Sequence, residues 1–227
     1  MQIKRVFDKL SPTGLAVILG IFLIPSIILN FYLYKQSQVW RDDIKVEGVI
    51  DGDTLVLDGK VRLRLRHADA PELEYCGGEE AKELLTSLVE GQRVRIRERI
   101  LDQRGRPLAL IYVGDTLVNQ KMLESGWARY HHDTSDMKGI LQEAGNRAKE
   151  EEKGVYGKCW EQETNSENPK CIIKGNIDNT DSSIKRYYLP GCAHYKFTII
   201  EKDKGEQWFC TEKEAQKAGY VKAKSCY

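Results

Sequence analysis

An α+β fold is predicted: a small closed barrel of five strands with about three helices, preceded by one membrane-spanning helix and followed by a small Cys-rich ββα module. Three observations predict it. Short alternating strands separated by Gly-Asp and Asp-Gly turns run from Lys45 to Arg66. Helical and strand patterns then alternate from Glu79 to Lys153. Five of the six cysteines lie from Cys159 onward, beyond the barrel pattern or at its end.

The chain of 227 residues is 41% hydrophobic and 30% charged, which allows one medium domain and a small appendage and excludes a disordered tail. Its net charge of +1 neither favours nor excludes a polyanionic partner, so such a partner needs a local basic surface. Gly14 to Tyr34 carries no charge and has the roughly 20-residue length that spans a bilayer core. Lys4, Arg5 and Lys9 precede it and Tyr32, Tyr34 and Lys35 close it, so it reads as an anchor with the amino terminus inside and the remainder outside the cytoplasm. A cleaved signal peptide is the alternative. With the juxtamembrane stretch this makes a first segment of 1–43.

A barrel domain is expected over 44–162. Lys45 to Ile50, Thr54 to Leu57 and Val61 to Arg66 read as a meander. In the last of these the alternation is strict, which points Val61, Leu63 and Leu65 to a core and Arg62, Arg64 and Arg66 to the opposite face. Glu79 to Val89 has helical spacing, and Arg93 to Glu98 and Leu108 to Val113 complete five strands. Leu117 to Ser125 reads as a helix stopped by Gly126, and Ser135 to Lys153 as another stopped by Gly154. This pattern suits a barrel of the oligonucleotide-binding (OB) type. A linker is expected over 163–181, rich in Asn, Ser, Asp and Gly, and the small module over 182–227.

Three segments carry chemistry: Asp51-Gly52-Asp53-Thr54, Arg64-Leu65-Arg66-His67-Ala68-Asp69-Ala70-Pro71-Glu72 and Asp102-Gln103-Arg104-Gly105-Arg106. Alone, each fits a polar turn or a solvated strand face. Together they supply carboxylates for a hard cation, two guanidinium groups able to grip a phosphate and a glutamate able to act as a base. With Val118-Asn119, Met122-Leu123 and Gly126-Trp127-Ala128 they resemble, in order and spacing, the staphylococcal nuclease family over about Lys45 to Trp160.

The resemblance implies a calcium-dependent phosphodiesterase acting on DNA and RNA and leaving 3′-phosphate ends. It makes Asp53 and Asp69 calcium ligands together with the backbone carbonyl of Ala70, and puts Asp51 beside them. It makes Glu72 the general base, Arg64 and Arg106 the phosphate-holding pair, and Tyr130 a surface for base stacking. The alternative is a non-catalytic surface module that binds nucleic acid. No protein partner and a monomeric state are expected.

An even cysteine count in an exported chain reads as disulfides. Cys76 with Cys159 is the pair expected for the barrel, leaving Cys171, Cys192, Cys210 and Cys226 to the tail. The tail also resembles small Ada-type metal-binding units, for which Cys192, His194, Cys210 and Cys226 would hold zinc. Two disulfides are favoured over that reading because the tail lacks a Cys-x-x-Cys pair.

Overall fold

The computed structural model describes residues 23–30 and 44–226. Contacts divide the chain into a unit over Met1–Arg41 and a unit over Asp42–Tyr227. The membrane-spanning helix expected over 14–34 needs correction. Among the described residues no helix is long and apolar enough to cross a membrane. Residues 23–30 are helical and exposed. The rest of the expected span and of the juxtamembrane stretch lies outside the described residues.

The larger unit begins with the meander. β1 (Ile44–Val49) pairs antiparallel with β2 (Thr54–Leu57), and β2 with β3 (Val61–Leu65). β5 (Arg93–Leu101) lies beside β1 and pairs with β6 (Pro107–Val113). A parallel contact of β3 with β6, Arg64 opposite Leu108 and Leu65 opposite Ala109, closes the ring of five. Closure removes the exposed sheet edges, and alternate residues such as Leu55, Leu63, Leu65, Val94 and Ile111 fill the interior.

Two members of the β3 alternation depart from the pattern. Val61 is 43% exposed, because the tight β2–β3 turn places it at the barrel mouth. Arg66 is buried, because residues 131–135 fold over the face on which it stands: its guanidinium donates to Asp133 Oδ2 at 2.6 Å and to the carbonyls of Glu98 and Thr134.

After β3 come a two-residue strand, β4 (Ala68–Asp69), and helix α1 (Gly78–Val89). β7 (Thr116–Leu117) leads into α2 (Val118–Glu124), and β8 (Arg129–Tyr130) returns to pair with β4 before α3 (Lys138–Glu150) and α4 (Val155–Lys158). Fully buried Asn119 pins α2 to the barrel. Its Oδ1 accepts the Ile111 N–H at 2.8 Å, while its Nδ2 donates to the Arg66 and Ala109 carbonyls at 2.8 and 3.0 Å.

The tail forms a second sheet in the order β11 (Gln207–Phe209), β9 (Ile173–Ile177), β10 (Lys185–Tyr188), β12 (Val221–Lys222), with α5 (Glu212–Lys217). β9 sits inside the stretch expected as a linker, yet it is an inner strand. Gly175 lets it fit there, since any Cβ would lie 2.4 Å from the Phe209 ring. The zinc alternative is also corrected. Cys171 is bonded to Cys210 and Cys192 to Cys226, so the thiolates that an Ada-type zinc centre needs are consumed. Cys76 is bonded to Cys159. Three disulfides are the cysteine usage of an oxidising compartment.

Candidate active site

Strand pairing gathers the three polar segments at one end of the barrel. Thr54 is opposite Arg64, which is opposite Leu108, two residues beyond Arg106. The turn before β2 thus meets the end of β3 and the start of β6. The Asp53 carbonyl accepts the Leu65 N–H at 2.7 Å, which locks the Asp51–Thr54 turn against β3. Gly52 allows the close approach: a Cβ there would fall 2.6 Å from the Ala70 Cβ and 2.5 Å from that of Ala81 in α1.

Asp53 is 1% exposed. One carboxylate oxygen accepts the Thr54 hydroxyl at 2.9 Å and lies 2.6 Å from Arg64 Nη1; the other accepts the Ala70 N–H at 2.9 Å. Asp51 Oδ1 accepts the Asp53 N–H at 3.1 Å. Burial pushes the Asp53 carboxyl up to about 7, against the opposing pull of Arg64. The other terminal nitrogen of Arg64 pairs with Asp69 Oδ1, so one guanidinium bridges two carboxylates.

Arg106 is placed differently. Asp102 Oδ1 accepts the N–H groups of Arg104 and Arg106, both at 2.8 Å, and Asp102 Oδ2 accepts from Arg106 Nε at 2.7 Å. The Arg106 backbone N–H, with the side chain adding to it, holds the Asp102 carboxyl below its ordinary range. This grip orients the half-exposed Arg106 fork, whose two terminal nitrogens hold no acceptor among the described residues. Asp102 was legible only as part of a turn; its spacing four residues before Arg106 is the signal for this second role.

Glu72 is exposed and follows Asp69 by three residues. Its carbonyl accepts the Tyr75 N–H at 2.9 Å, and Gly78 packs so close that a Cβ would lie 2.1 Å from that oxygen. Only glycine lets α1 start against the Glu72 backbone. Tyr130 is half-buried, with its ring parallel to that of His67 at 5.7 Å and its hydroxyl buried.

Among the described residues no three His, Cys, Asp or Glu side chains are grouped to hold a metal ion by themselves. The oxygen donors nonetheless suit a hard cation. Two carboxylates, Asp53 and Asp69, converge on a single positive group, and burial leaves Asp53 short of compensating charge.

The family model for staphylococcal nuclease homologues matches residues 62–158. An uncharacterized endonuclease of Escherichia coli O157:H7 is 34% identical over 118 residues, covering 49% of this chain and 75% of the relative. An uncharacterized endonuclease of Haemophilus influenzae is 31% identical over 119 residues, covering 49% and 67%. A probable staphylococcal-like nuclease of Oryza sativa is 35% identical over 104 residues, covering 46% and 27%.

Proposed function

Because the chain belongs to the staphylococcal nuclease homologue family, whose relatives include proteins named as endonucleases, we propose that it is a calcium-dependent phosphodiesterase that cuts DNA and RNA outside the cytoplasm. The observation that carries this reading is the bridge from Arg64 to Asp53 and Asp69 at the barrel end where β6 also brings Arg106. The barrel over 44–162 is the catalytic domain in this proposal, and the C-terminal module, whose sheet takes in β9, follows it.

Asp53, Asp69 and the Ala70 carbonyl would hold the calcium ion, with Asp51 orienting Asp53 through its backbone N–H. A bound calcium ion supplies positive charge to a non-bridging phosphate oxygen and neutralises the carboxylates around it. Arg64 and Arg106 offset the negative charge that builds on the phosphate during attack, and the Asp102 grip holds the Arg106 fork ready for it. Glu72 removes the proton of the attacking water, since water itself is a poor nucleophile near neutral pH. Departure of the 5′-oxygen leaves a 3′-phosphate. Tyr130 enters as a base-stacking surface through its half-exposed ring.

Incubating the chain with end-labelled single-stranded DNA and with RNA, in calcium and then in chelator, tests the reading. Calcium-dependent fragments that accept a 5′-phosphate from a kinase but resist extension until 3′-dephosphorylated support it. Fragments with free 3′-hydroxyls, or cleavage that persists in chelator, contradict it.

A further inference from the structure

Asp69 and Glu72 stand on a short segment with little regular structure to hold it. β4 has two residues, and among the described residues it pairs with the two residues of β8, Ala68 opposite Tyr130 and Asp69 opposite Arg129. A pairing this short is marginal by itself. Its partner strand, however, is fastened from the tail. The Arg129 guanidinium lies 3.0 Å from Glu201 Oε1, pairs through Nη2 with buried Asp203, and lies 3.8 Å over the Trp160 ring. A planar fork held by two carboxylates and an aromatic face has few ways to turn, and breaking such a buried pair leaves an uncompensated charge. The Asp69 backbone is therefore tied, through Arg129, to residues some seventy positions away.

The same piece of tail reaches the segment from its other end. The Tyr75 ring lies on Gly205, where a Cβ would sit 2.5 Å from the ring; Gly205 has φ +85°, and its carbonyl accepts the Tyr220 hydroxyl at 3.0 Å. The Lys202 N–H donates to the Cys159 carbonyl at 2.8 Å, and the Cys76 N–H donates to the Lys202 carbonyl at 3.4 Å, beside the disulfide that joins the two cysteines. Tyr75 in turn donates its N–H to the Glu72 carbonyl.

We infer that residues 201–205 of the tail brace the segment carrying Asp69 and Glu72, making Arg129 and Tyr75 positioning residues and the C-terminal module a working part of the catalytic unit. The inference rests on the roles proposed above for Asp69 and Glu72. Arg129 acts on the Asp69 side and so on calcium; Tyr75 acts on the Glu72 side and so on the chemical step. A module that merely contributed stability would change the folded fraction and leave both of these properties untouched in the folded molecules.

The test compares the full chain with Tyr75→Ala, Tyr75→Phe and Asp203→Asn, each assayed well below its own melting temperature on single-stranded DNA with varied calcium. Tyr75→Ala is expected to lower kcat about 10- to 100-fold with little change in KM, as a misplacement of about 1 Å does, and Tyr75→Phe to restore it. Asp203→Asn is expected to raise the calcium concentration for half-maximal activity about tenfold or more. Hydrogen exchange at the amides of residues 70–76 should quicken at least about tenfold in Tyr75→Ala. Wild-type kcat and exchange rates in Tyr75→Ala together with a wild-type calcium midpoint in Asp203→Asn would overturn the inference. Should one variant fail to fold, the other decides. A wild-type chain that cuts nothing with calcium defeats the nuclease reading instead, and the exchange rates still decide the brace.

Discussion

Arg64 and Asp53 form the buried half of a three-member bridge: Nη1 lies 2.6 Å from Asp53 Oδ1 while the neighbouring nitrogen holds Asp69. A fork is required because two acceptors lie on two sides of one group. Arg64→Ala should lower kcat/KM by roughly a thousandfold, the scale for removing one preorganised donor of transition-state charge. Arg64→Lys should recover little of it, because a single ammonium cannot span both carboxylates in the same geometry. Steady-state kinetics on a short DNA check this, and a Lys variant near wild type would remove the fork from the account.

Asn119 is a structural counterpart, fully buried with hydrogen bonds to Ile111, Arg66 and Ala109. Asn119→Ala leaves one backbone N–H and two carbonyls without that partner, and should cost about 3 kcal/mol in urea unfolding. A loss below about 1 kcal/mol would mean that the barrel tolerates an open end at α2.

The cross-link between Cys76 and Cys159 closes a loop with a sequence separation of 83. Replacing both with alanine should lower stability by about 4 kcal/mol, chiefly by freeing the unfolded chain. Thermal melts of the variant beside the wild type, without reductant, measure it; equal melting temperatures would contradict the expectation.

Glu206 gives the tail a pH dependence. Its carboxylate is 2% exposed and accepts the Ile177 N–H at 3.1 Å and the Glu201 N–H at 2.8 Å, yet burial pushes the carboxyl up from 4.5 to about 7. The folded state thus holds this proton more tightly than the unfolded chain does. The stabilising contribution is full below pH 4.5 and is lost as pH rises through 7, about 3 kcal/mol across the window. The stability of the wild type relative to Glu206→Gln should fall by that amount between pH 4.5 and 7. A pH-independent difference would show that its N–H donors keep Glu206 ionised.

Much of the barrel was legible because its determinants are local. Alternation over Val61 to Leu65, Gly-Asp turns and glycine stops each act within a few residues, and the closed barrel follows them. Asp53, Arg64 and Asp69 were singled out by the family resemblance, and the bridge of Arg64 to both carboxylates was not read from the sequence. What stayed hidden depends on distant chain. Nothing near Arg66 announces that residues 131–135 will bury it, and nothing near Arg129 announces Glu201 and Asp203. β9 was masked by the Asn- and Gly-rich composition around it, of which Gly175 is required by close packing on Phe209. The tail cysteines admitted both zinc and disulfides until their pairing was seen. The apolar run before the barrel matched a bilayer span in length, whereas no helix among the described residues is long and apolar enough to cross a membrane.

The central claim is metal-assisted phosphodiester hydrolysis with Glu72 as base, and the most direct measurement is the rate at which wild type and Glu72→Gln cut single-stranded DNA in calcium. The account predicts that wild type cuts, that chelator stops it, and that the variant binds the same DNA but cuts it at least about a hundredfold more slowly. A wild type that binds DNA without cutting it, or a variant as fast as wild type, would contradict the account.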